Sequence, residues 1–273
     1  MMLWCFGARL RVRMRDAAPP SDELWVCHLG HLPYSDGVAI QGTIRQRRQV
    51  GELPDTLLLL EHPPTYTRGR RSGADDLPFG EDFYRAKGID VLATDRGGKL
   101  TYHGPGQLVG YPIMAIVDVG RYLRTMEGAI IAALGKQGIV ARSRAEEGID
   151  HTGVWVDERK IASIGVHVSR GVTTHGFAVN VNNDLDPFSW VVACGLPDVQ
   201  MTSLATELGA AAPGVACFRK EMAFRFCEAH GRRQRLVSPR RLGIDTAHAE
   251  SGAPTGAKPI QTIATETPEA VPV

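Results

Sequence analysis

The feature that most constrains the fold is a set of three β-rich segments near the middle of the 273-residue chain, at residues 153–156, 161–168 and 172–181. The first two are separated by Asp157-Glu158-Arg159 and the last two by Ser169-Arg170-Gly171. Both separators have the composition of tight turns. Short β-rich segments joined by such turns predict a three-stranded antiparallel meander.

Patterns on either side of the meander predict further strands and helices. Continuous apolar runs indicate strands, and apolar residues at helical spacing indicate core-facing helices. The predicted strands are 24–29, 56–60, 90–94 and 107–117, and the predicted helices are 35–50, 121–134, 203–208 and 218–230. Ser35 is the predicted cap of the first helix, and Thr202 or Ser203 is the predicted cap of the third. Polar, glycine-rich stretches at 68–80 and 96–106 are predicted loops. The expected fold class is α/β, a single domain with a mostly antiparallel sheet flanked by helices.

Composition divides the chain into three parts. Residues 1–22 end in Ala17-Ala18-Pro19-Pro20 and predict a disordered leader or a misassigned start, with Met14 as an alternative start. From residue 238 onward the chain has no aromatic residue and many Ala, Thr and Pro residues, which predicts a disordered tail over 238–273. The catalytic domain is therefore expected at 23–237.

Charge and cysteine usage exclude several function classes. The formal net charge of +1 gives no overall field that favours nucleic acid or a membrane surface. No apolar run approaches the roughly 20 residues of a membrane span. The five cysteines are odd in number and lack C-x-x-C spacing, which argues against a disulfide framework and favours a reducing, cytoplasmic location. The histidines also lack metal-ligand spacing, so no metal or other cofactor is expected.

Two local clusters of basic residues stand out against the neutral total, at 45–48 and 68–71. The simpler interpretation is that each is a solvated face of the protein. The alternative is a docking surface for an acidic partner.

Cys194 and Lys160 are the candidate nucleophile and its partner. Cys194 follows the apolar run 190–193 and precedes Gly195, which we interpret as the break between a strand and a loop. Lys160 lies where the first turn of the meander runs into an apolar strand. A free thiol has a pKa of about 8.5, and a nearby ammonium favours the thiolate. We therefore predict that the two side chains meet in a cleft. Cys27 and Cys227, in contrast, are expected to be small buried hydrophobes.

The segment 96–107 contains four glycines and a proline in twelve residues. Glycines let backbone N–H groups approach a ligand closely, although the segment matches neither the dinucleotide-binding fingerprint nor the P-loop. From the glycines alone a structural loop is as plausible as a binding site. The chemically useful side chains among them favour a site, namely Arg96, Lys99, Thr101, Tyr102 and His103. His103 is a possible general base, but the expected role is a hydrogen bond to a backbone group.

Six stretches together resemble one enzyme family. They are EHPPTYTRG (61–69), RGGKLTYHGPGQLVGYPI (96–113), GVWVDERKIASIGV (153–166), THGFAVNVNNDL (174–185), ACG (193–195) and TSLATELG (202–209). In this order they resemble the octanoyltransferases, also called lipoyl(octanoyl) transferases or lipoate-protein ligase B. The resemblance covers roughly residues 24–230. It departs from the family pattern at Ala193, where a proline is frequent.

The resemblance implies a fold shared with biotin and lipoate ligases, and a reaction without a cofactor. The octanoyl group would pass from octanoyl-acyl carrier protein to a lysine of lipoyl domains, in 2-oxoacid dehydrogenases and the glycine cleavage H protein. The family's acyl-thioester cysteine falls on Cys194, and the lysine that lowers its pKa falls on Lys160. The implied substrate-binding residues are Arg96, Gly97, Gly98, Lys99, Leu100, Thr101, Tyr102, His103, Ser163, Ile164, Gly165, Gly176, Phe177 and Ala178.

Three other functions are compatible with the same residues. An ATP-dependent lipoate or biotin-type protein ligase would activate the acid as an adenylate and need no thiol. A non-catalytic module would bind lipoyl domains without forming an acyl adduct. A hydrolase would use Cys194 with His103 or His175 and release the acyl group to water.

Overall fold

The computed structural model describes residues 22–193 and 199–244 of the chain. Its strands are β1 (Glu23–His31), β2 (Thr56–Glu61), β3 (Thr65–Arg68), β4 (Asp90–Ala93), β5 (Thr101–His103), β6 (Gln107–Ile113), β7 (Arg142–Ser143), β8 (Gly153–Val156), β9 (Arg159–Ser169), β10 (Val172–Asn180), β11 (Gln200–Met201) and β12 (Arg233–Leu236). Its α-helices are α1 (Tyr34–Gln49), α2 (Glu81–Ala86), α3 (Val119–Lys136), α4 (Asp186–Ser189), α5 (Leu204–Leu208) and α6 (Val215–Ala229). Within the predicted tail, Pro239–Leu242 form a 3₁₀ helix in which Leu242 is 1% exposed, so ordered structure extends beyond residue 237. The remainder of the predicted leader and tail, residues 1–21 and 245–273, lies outside the described residues, and so does Cys194.

A large sheet organises the domain. Its strands lie in the order β12-β1-β2-β6-β10-β9-β8-β7, and β11 pairs with β9 off this path. The pairs from β2 through β6, β10, β9 and β8 to β7 are antiparallel, whereas β1 runs parallel to both β2 and β12. The predicted meander is β8, β9 and β10, and the predicted mixed α/β class with a mostly antiparallel sheet is confirmed.

The strand β2 shows why the large sheet is covered on both faces. Its successive side chains point to opposite faces, and all of Leu57–Leu60 are at most 1% exposed. Leu57 and Leu59 pack in one core with residues of α3 and α6, while Leu58 and Leu60 pack in a second core with Ile44 of α1. A continuous apolar run is what a strand buried on both faces requires.

A smaller sheet lies beside the large one, in the order β4-β3-β5. It packs on a third core that includes Tyr66, Tyr84, Tyr102 and Phe188, from β3, α2, β5 and α4. Sequence patterns predicted β4 but placed 101–103 in a loop and missed β3. Both missed strands are short, at four and three residues, and contain only threonine, tyrosine, arginine and histidine.

The four predicted helices match α1, α3, α5 and α6, with one correction at a cap, whereas the short helices α2 and α4 were not predicted. Ser203 caps α5, because its hydroxyl accepts a hydrogen bond from the Thr206 N–H at 3.1 Å. The prediction that Ser35 caps α1 is wrong. The helix begins one residue earlier at Tyr34, with Pro33 at the cap position, and proline has no side-chain acceptor to offer.

The interpretation of 190–193 as the end of a strand is also wrong. This stretch follows the short helix α4 as a turn, in which the Val192 N–H donates to Asp76 O at 3.1 Å. The apolar residues are there to fill the third core, in which Ala193 is 2% exposed. A run of four apolar residues cannot by itself distinguish a strand from a buried turn.

A buried carboxylate joins four segments of the chain beside the large sheet. Asp55, whose side chain is 5% exposed, accepts hydrogen bonds from Arg48 Nε at 2.7 Å and from the Ala115 N–H at 2.9 Å, and Arg232 lies 3.6 Å away. The expectation that 45–48 is a solvated face is therefore wrong at Arg48. The arginine is buried because it is paired, as buried charges must be.

We expect Asp55→Ala to lower the free energy of unfolding by about 3–5 kcal/mol, because it leaves the buried Arg48 guanidinium without its charge partner. Urea denaturation followed by circular dichroism measures this loss. Glu52→Gln is the matched control, since it removes the exposed carboxylate that faces Arg47 at 3.3 Å and should change stability by less than about 1 kcal/mol. Equal effects of the two substitutions would contradict the assignment.

Candidate active site

A cavity of about 390 Å³ opens where the smaller sheet meets β9 and β10 of the large sheet. Three walls come from segments singled out in the sequence: the glycine-rich segment 96–101, the strand β9 and the strand β10. Two further walls come from α3, through Val119 and Leu123, and from the segment before β8, through Ile149, Asp150 and Thr152. Most of these walls are apolar or backbone, so the cavity suits an elongated apolar group.

The strands β9 and β10 bring two predicted binding segments together. Ser163, Ile164 and Gly165 are the antiparallel cross-strand partners of Ala178, Phe177 and Gly176, respectively. All six residues line the cavity. Two triplets that are separate in sequence are thus a single patch of sheet.

Lys160 lies near one end of the strand β9. Its side chain lines the cavity although the residue is only 2% exposed. The ammonium Nζ lies 5.1 Å from the centroid of the Trp155 ring, within cation–π distance. A buried ammonium in an apolar wall is a concentrated positive charge, and it acts strongly on any group that enters the cavity.

The described residues on both sides of Cys194 are held in place, and those on its carboxyl side pair with this end of β9. On the carboxyl side, Met201 pairs with Lys160 in a parallel bridge between β11 and β9, and the Thr202 N–H donates to Lys160 O at 3.0 Å. Met201 follows Cys194 by seven residues in the sequence. On the amino side, Ala193 is buried in the third core. Cys194 itself lies outside the described residues.

Hydrogen bonds fasten the glycine-rich segment to both sheets. The Gly97 N–H donates to Val166 O of β9 at 2.9 Å. This amide is therefore not available to a ligand, although the glycine content suggested that it would be. Arg96 is 7% exposed and donates from Nη2 to Thr67 O at 2.6 Å and from Nη1 to Gly97 O at 3.1 Å. Arg96 therefore ties the segment to β3 as well as lining the cavity.

The other predicted residues of this segment divide into two groups. Gly97, Gly98, Lys99, Leu100, Thr101 and His103 all line the cavity. Tyr102 does not belong to this lining; its ring packs against Tyr66 and Phe188 in the third core. Burial raises the pKa of Tyr102 to about 12, so its hydroxyl stays protonated. The alternation of side chains along β5 separates Tyr102 from Thr101 and His103.

A basic rim lies at the mouth of the cavity. We use this name for Arg70, Arg71 and Lys99, which line the cavity beside the glycine-rich segment. Arg70 and Arg71 are exposed, and Arg71 forms an ion pair of 2.9 Å with Asp150 across the mouth. The expectation of a solvated face at 68–71 therefore holds for Arg70 and Arg71, and this face borders the cavity.

Buried imidazoles lie under the glycine-rich segment. His62 is 0% exposed, with Nδ1 2.7 Å from Leu32 O and Nε2 2.7 Å from the Tyr111 hydroxyl. A carbonyl only accepts, so Nδ1 carries the proton and Nε2 accepts from Tyr111. Burial lowers the pKa of His62 to about 4, and the ring is neutral at physiological pH.

His103 belongs to this buried group and is held by a side chain. Its Nδ1 lies 2.8 Å from Gln107 Oε1, and its Nε2 lies 3.5 Å from the Thr67 hydroxyl. The expected hydrogen bond to a backbone group is therefore wrong. Burial, with His62 close by, lowers the pKa of His103 well below its usual value, so the ring is neutral.

His175 joins β10 to the start of the glycine-rich segment. Its Nε2 lies 2.7 Å from Asp95 Oδ1, and the residue is 3% exposed. Burial lowers the pKa of His175, and the hydrogen bond from its ring holds the pKa of Asp95 down to about 2. The described residues contain no cluster of three or more histidine, cysteine or carboxylate side chains that could hold a metal ion.

Some lining residues carried no signal in the sequence. Val109 and Tyr111 of β6 and Leu123 of α3 reach the cavity from a predicted strand and a predicted helix, and Val119 and Ile149 lie outside every predicted element. Val119 is 42% exposed and Ile149 is 70% exposed. A single exposed apolar side chain is common and indicates no function until the fold shows what it borders.

Comparison with known proteins gives the family of the chain and agrees with its fold. The family model for the lipoyl protein ligase A/B catalytic domain matches residues 33–226. The octanoyltransferase of Rubrobacter xylanophilus is 45% identical over 206 residues, which are 74% of this chain and 91% of that protein. The octanoyltransferase of Solibacter usitatus is 48% identical over 185 residues, 66% of this chain and 82% of that protein.

A solved structure of the bipartite lipoate protein ligase of Thermoplasma acidophilum shares the fold, with a TM-score of 0.66 at 19% identity. The match covers 79% of this chain and 87% of that chain. The chain belongs to the lipoyl protein ligase A/B catalytic-domain family, and the relatives that match most of its length are octanoyltransferases. Within the parts of the chain that the structure describes, no helix is long and apolar enough to cross a bilayer.

We expect the free energy of unfolding to fall as the pH drops from about 6.5 to about 4, because the unfolded state protonates His62 before the native state does. The gap between these two pKa values corresponds to about 3 kcal/mol. Urea denaturation at several pH values measures the loss, and His62→Gln should flatten it. His31→Gln, at a side chain 62% exposed, should keep the wild-type pH dependence. An unchanged slope in His62→Gln would contradict this role.

Proposed function

We propose that the protein transfers an octanoyl group from octanoyl-acyl carrier protein to a lysine of lipoyl domains, through a thioester on Cys194. The observation that carries the proposal is the buried Lys160 ammonium in the wall of an apolar cavity that the family's substrate-binding segments line. The 45% identity to an octanoyltransferase over most of the chain supports the choice of acyl group. The roles of the individual residues rest on their chemistry.

In the first step the Cys194 thiolate attacks the thioester carbonyl of the donor. A new C–S bond forms to Cys194, the C–S bond to the carrier breaks, and the carrier leaves as a thiolate that takes a proton from Lys160. The Lys160 ammonium favours the attacking thiolate beforehand, because it offsets the negative charge on sulfur. The parallel bridge between Met201 and Lys160, seven residues after Cys194, supports this partnership.

In the second step a lysine of the acceptor attacks the thioester carbonyl of Cys194. A solution lysine has a pKa of about 10.4, so most of it carries a proton that must be removed. Lys160, neutral after the first step, takes the ammonium proton, and the neutral amine then attacks as the C–N bond forms and the C–S bond breaks. The second proton, which the nitrogen loses as it becomes an amide, passes to the departing Cys194 sulfur and then to solvent, which restores the thiolate and the ammonium. Exchange of one thioester for another changes the free energy little, and formation of the amide lowers it. The two-step reaction therefore needs no nucleotide.

The cavity accounts for an apolar acyl chain. Ile164, Val166 and Phe177 provide apolar walls along β9 and β10. Each CH₂ group buried there contributes about 0.8 kcal/mol, so the walls bind the chain but distinguish neighbouring lengths only a few-fold. Val179, two residues after Phe177 on β10, is 0% exposed in the core and does not line the cavity.

The partners and location follow from the same chemistry. The basic rim suits an acidic carrier protein, and the acceptors are the lipoyl domains of 2-oxoacid dehydrogenases and the glycine cleavage H protein. A reactive thiol needs reducing surroundings, which favours the cytoplasm.

We expect intact-mass measurement to find an octanoyl adduct after incubation with octanoyl-acyl carrier protein. Cys194→Ser should not accumulate the thioester, and Lys160→Ala should reduce turnover by at least about a hundredfold while it keeps its circular dichroism spectrum. Cys217→Ser, which changes an exposed cysteine, should form the adduct normally.

Normal transfer by Cys194→Ser would overturn the mechanism. Transfer of free octanoate that requires ATP and survives alkylation of Cys194 would favour the ligase alternative. Binding of a lipoyl domain without any adduct would favour the non-catalytic module, and release of octanoate to water in its presence would favour a hydrolase.

A further inference from the structure

We infer that Trp155, held by its neighbours, is the residue that positions the Lys160 ammonium for acyl transfer. The inference rests on the proposed function, which gives Lys160 its role. It assigns a role to a side chain that does not line the cavity and that composition alone marks only as a large hydrophobe.

The Trp155 ring is fixed in place. The residue is 1% exposed, and its Nε1–H donates to His151 O at 3.0 Å. On the sheet it is the cross-strand partner of Lys160, next to a register shift between Val154 and Trp155. The Arg144 guanidinium carbon lies 4.5 Å from the ring centroid, and Arg144 is itself paired with Glu147 and Glu158. The indole therefore has little freedom to move.

The ring faces Lys160 as a partner that carries no charge. The Lys160 Nζ lies 5.1 Å from the ring centroid, and no carboxylate of the described residues lies within ion-pair distance of it. A carboxylate would also stabilise the buried ammonium, but it would cancel much of the positive charge that a neighbouring thiolate experiences. An aromatic face attracts the ammonium and leaves its full charge directed at the cavity.

A missing side chain at Gly153 makes room for this placement. Gly153 has a φ of +142°, and a Cβ there would lie 2.7 Å from Lys160 Cε and 2.5 Å from Ala162 O. The Gly153 N–H donates to Glu127 Oε1 at 3.0 Å, and Glu127 is 1% exposed and paired with Arg124 at 2.7 Å. The helix α3 thus fixes the start of β8 against the stem of Lys160.

The test is a double-mutant cycle between positions 155 and 160, with kcat/KM for octanoyl transfer as the readout. We expect Trp155→Leu to reduce kcat/KM by about thirtyfold, mainly through kcat, since a desolvated cation–π contact is lost. Trp155→Phe should retain activity within about fivefold, because it keeps an aromatic face. In a Lys160→Ala background, Trp155→Leu should cause no further loss.

A second measurement reports on the thiol directly. The rate of iodoacetamide labelling of Cys194 follows its thiolate fraction, so Trp155→Leu should move the labelling profile to higher pH. Trp25→Leu is the matched control, because two cationic side chains, Arg235 and Arg241, also lie over the Trp25 ring, which is on β1 and does not line the cavity. It should change neither kcat/KM nor the labelling profile.

Losses that are additive in the cycle, or an unchanged labelling profile in Trp155→Leu, would overturn the inference and make Trp155 a packing residue only. If Trp155→Leu does not fold, as judged by circular dichroism, Trp155→Met takes its place with the same criteria. Failure of the proposed function gives a different result, because the wild-type protein would then form no octanoyl adduct.

Discussion

The antiparallel pairing of β9 with β10 is the interaction on which the site depends. It sets the two predicted binding triplets opposite one another and continues along β9 to Lys160. Because side chains alternate between faces, a slip of one residue in this register would move the Lys160 ammonium from the cavity to the opposite core. The tight turn between the strands and the neighbours on either side, β6 and β8, keep the register fixed. The chemistry is thus built onto the pair of described strands with the longest register, eight residue pairs from Val172–Ser169 to Val179–Ala162.

The sequence predicts this centre well because its signals are local. The meander has β-rich segments with clear turns, and β2 has an apolar run that fits a strand buried on both faces. The signals fail where an element depends on tertiary contacts. The strands β3 and β5 are short and lack an apolar pattern, and the start of α1 is set by Pro33 rather than by a serine cap. The buried state of Arg48 follows from Asp55, which sequence alone does not pair with it.

The candidate site follows the same rule. Arg96–His103 and the two triplets were the predicted binding residues, and all of them except Tyr102 line one cavity. Tyr102 could not be separated from its neighbours without knowing that 101–103 is a strand, since only then do its side chains alternate. The walls supplied by α3 and by Ile149 were also unpredictable, because they come from distant parts of the chain. The role of Cys194 stays a prediction, and Met201, seven residues after it, pairs with Lys160.

One residue of β10 shows where the fold accepts a local penalty. His175 has a φ of +56°, a left-handed conformation that costs a non-glycine residue about 1 kcal/mol or more. Glycine would adopt it freely, yet it would lack the ring that bonds Asp95, while the backbone N–H donates to Gln41 Oε1 at 2.6 Å. The kinked backbone turns the imidazole towards the segment that begins at Asp95. The contacts of the imidazole therefore outweigh the cost of the left-handed backbone. Homologous chains that relax the kink would have to anchor the glycine-rich segment by other means.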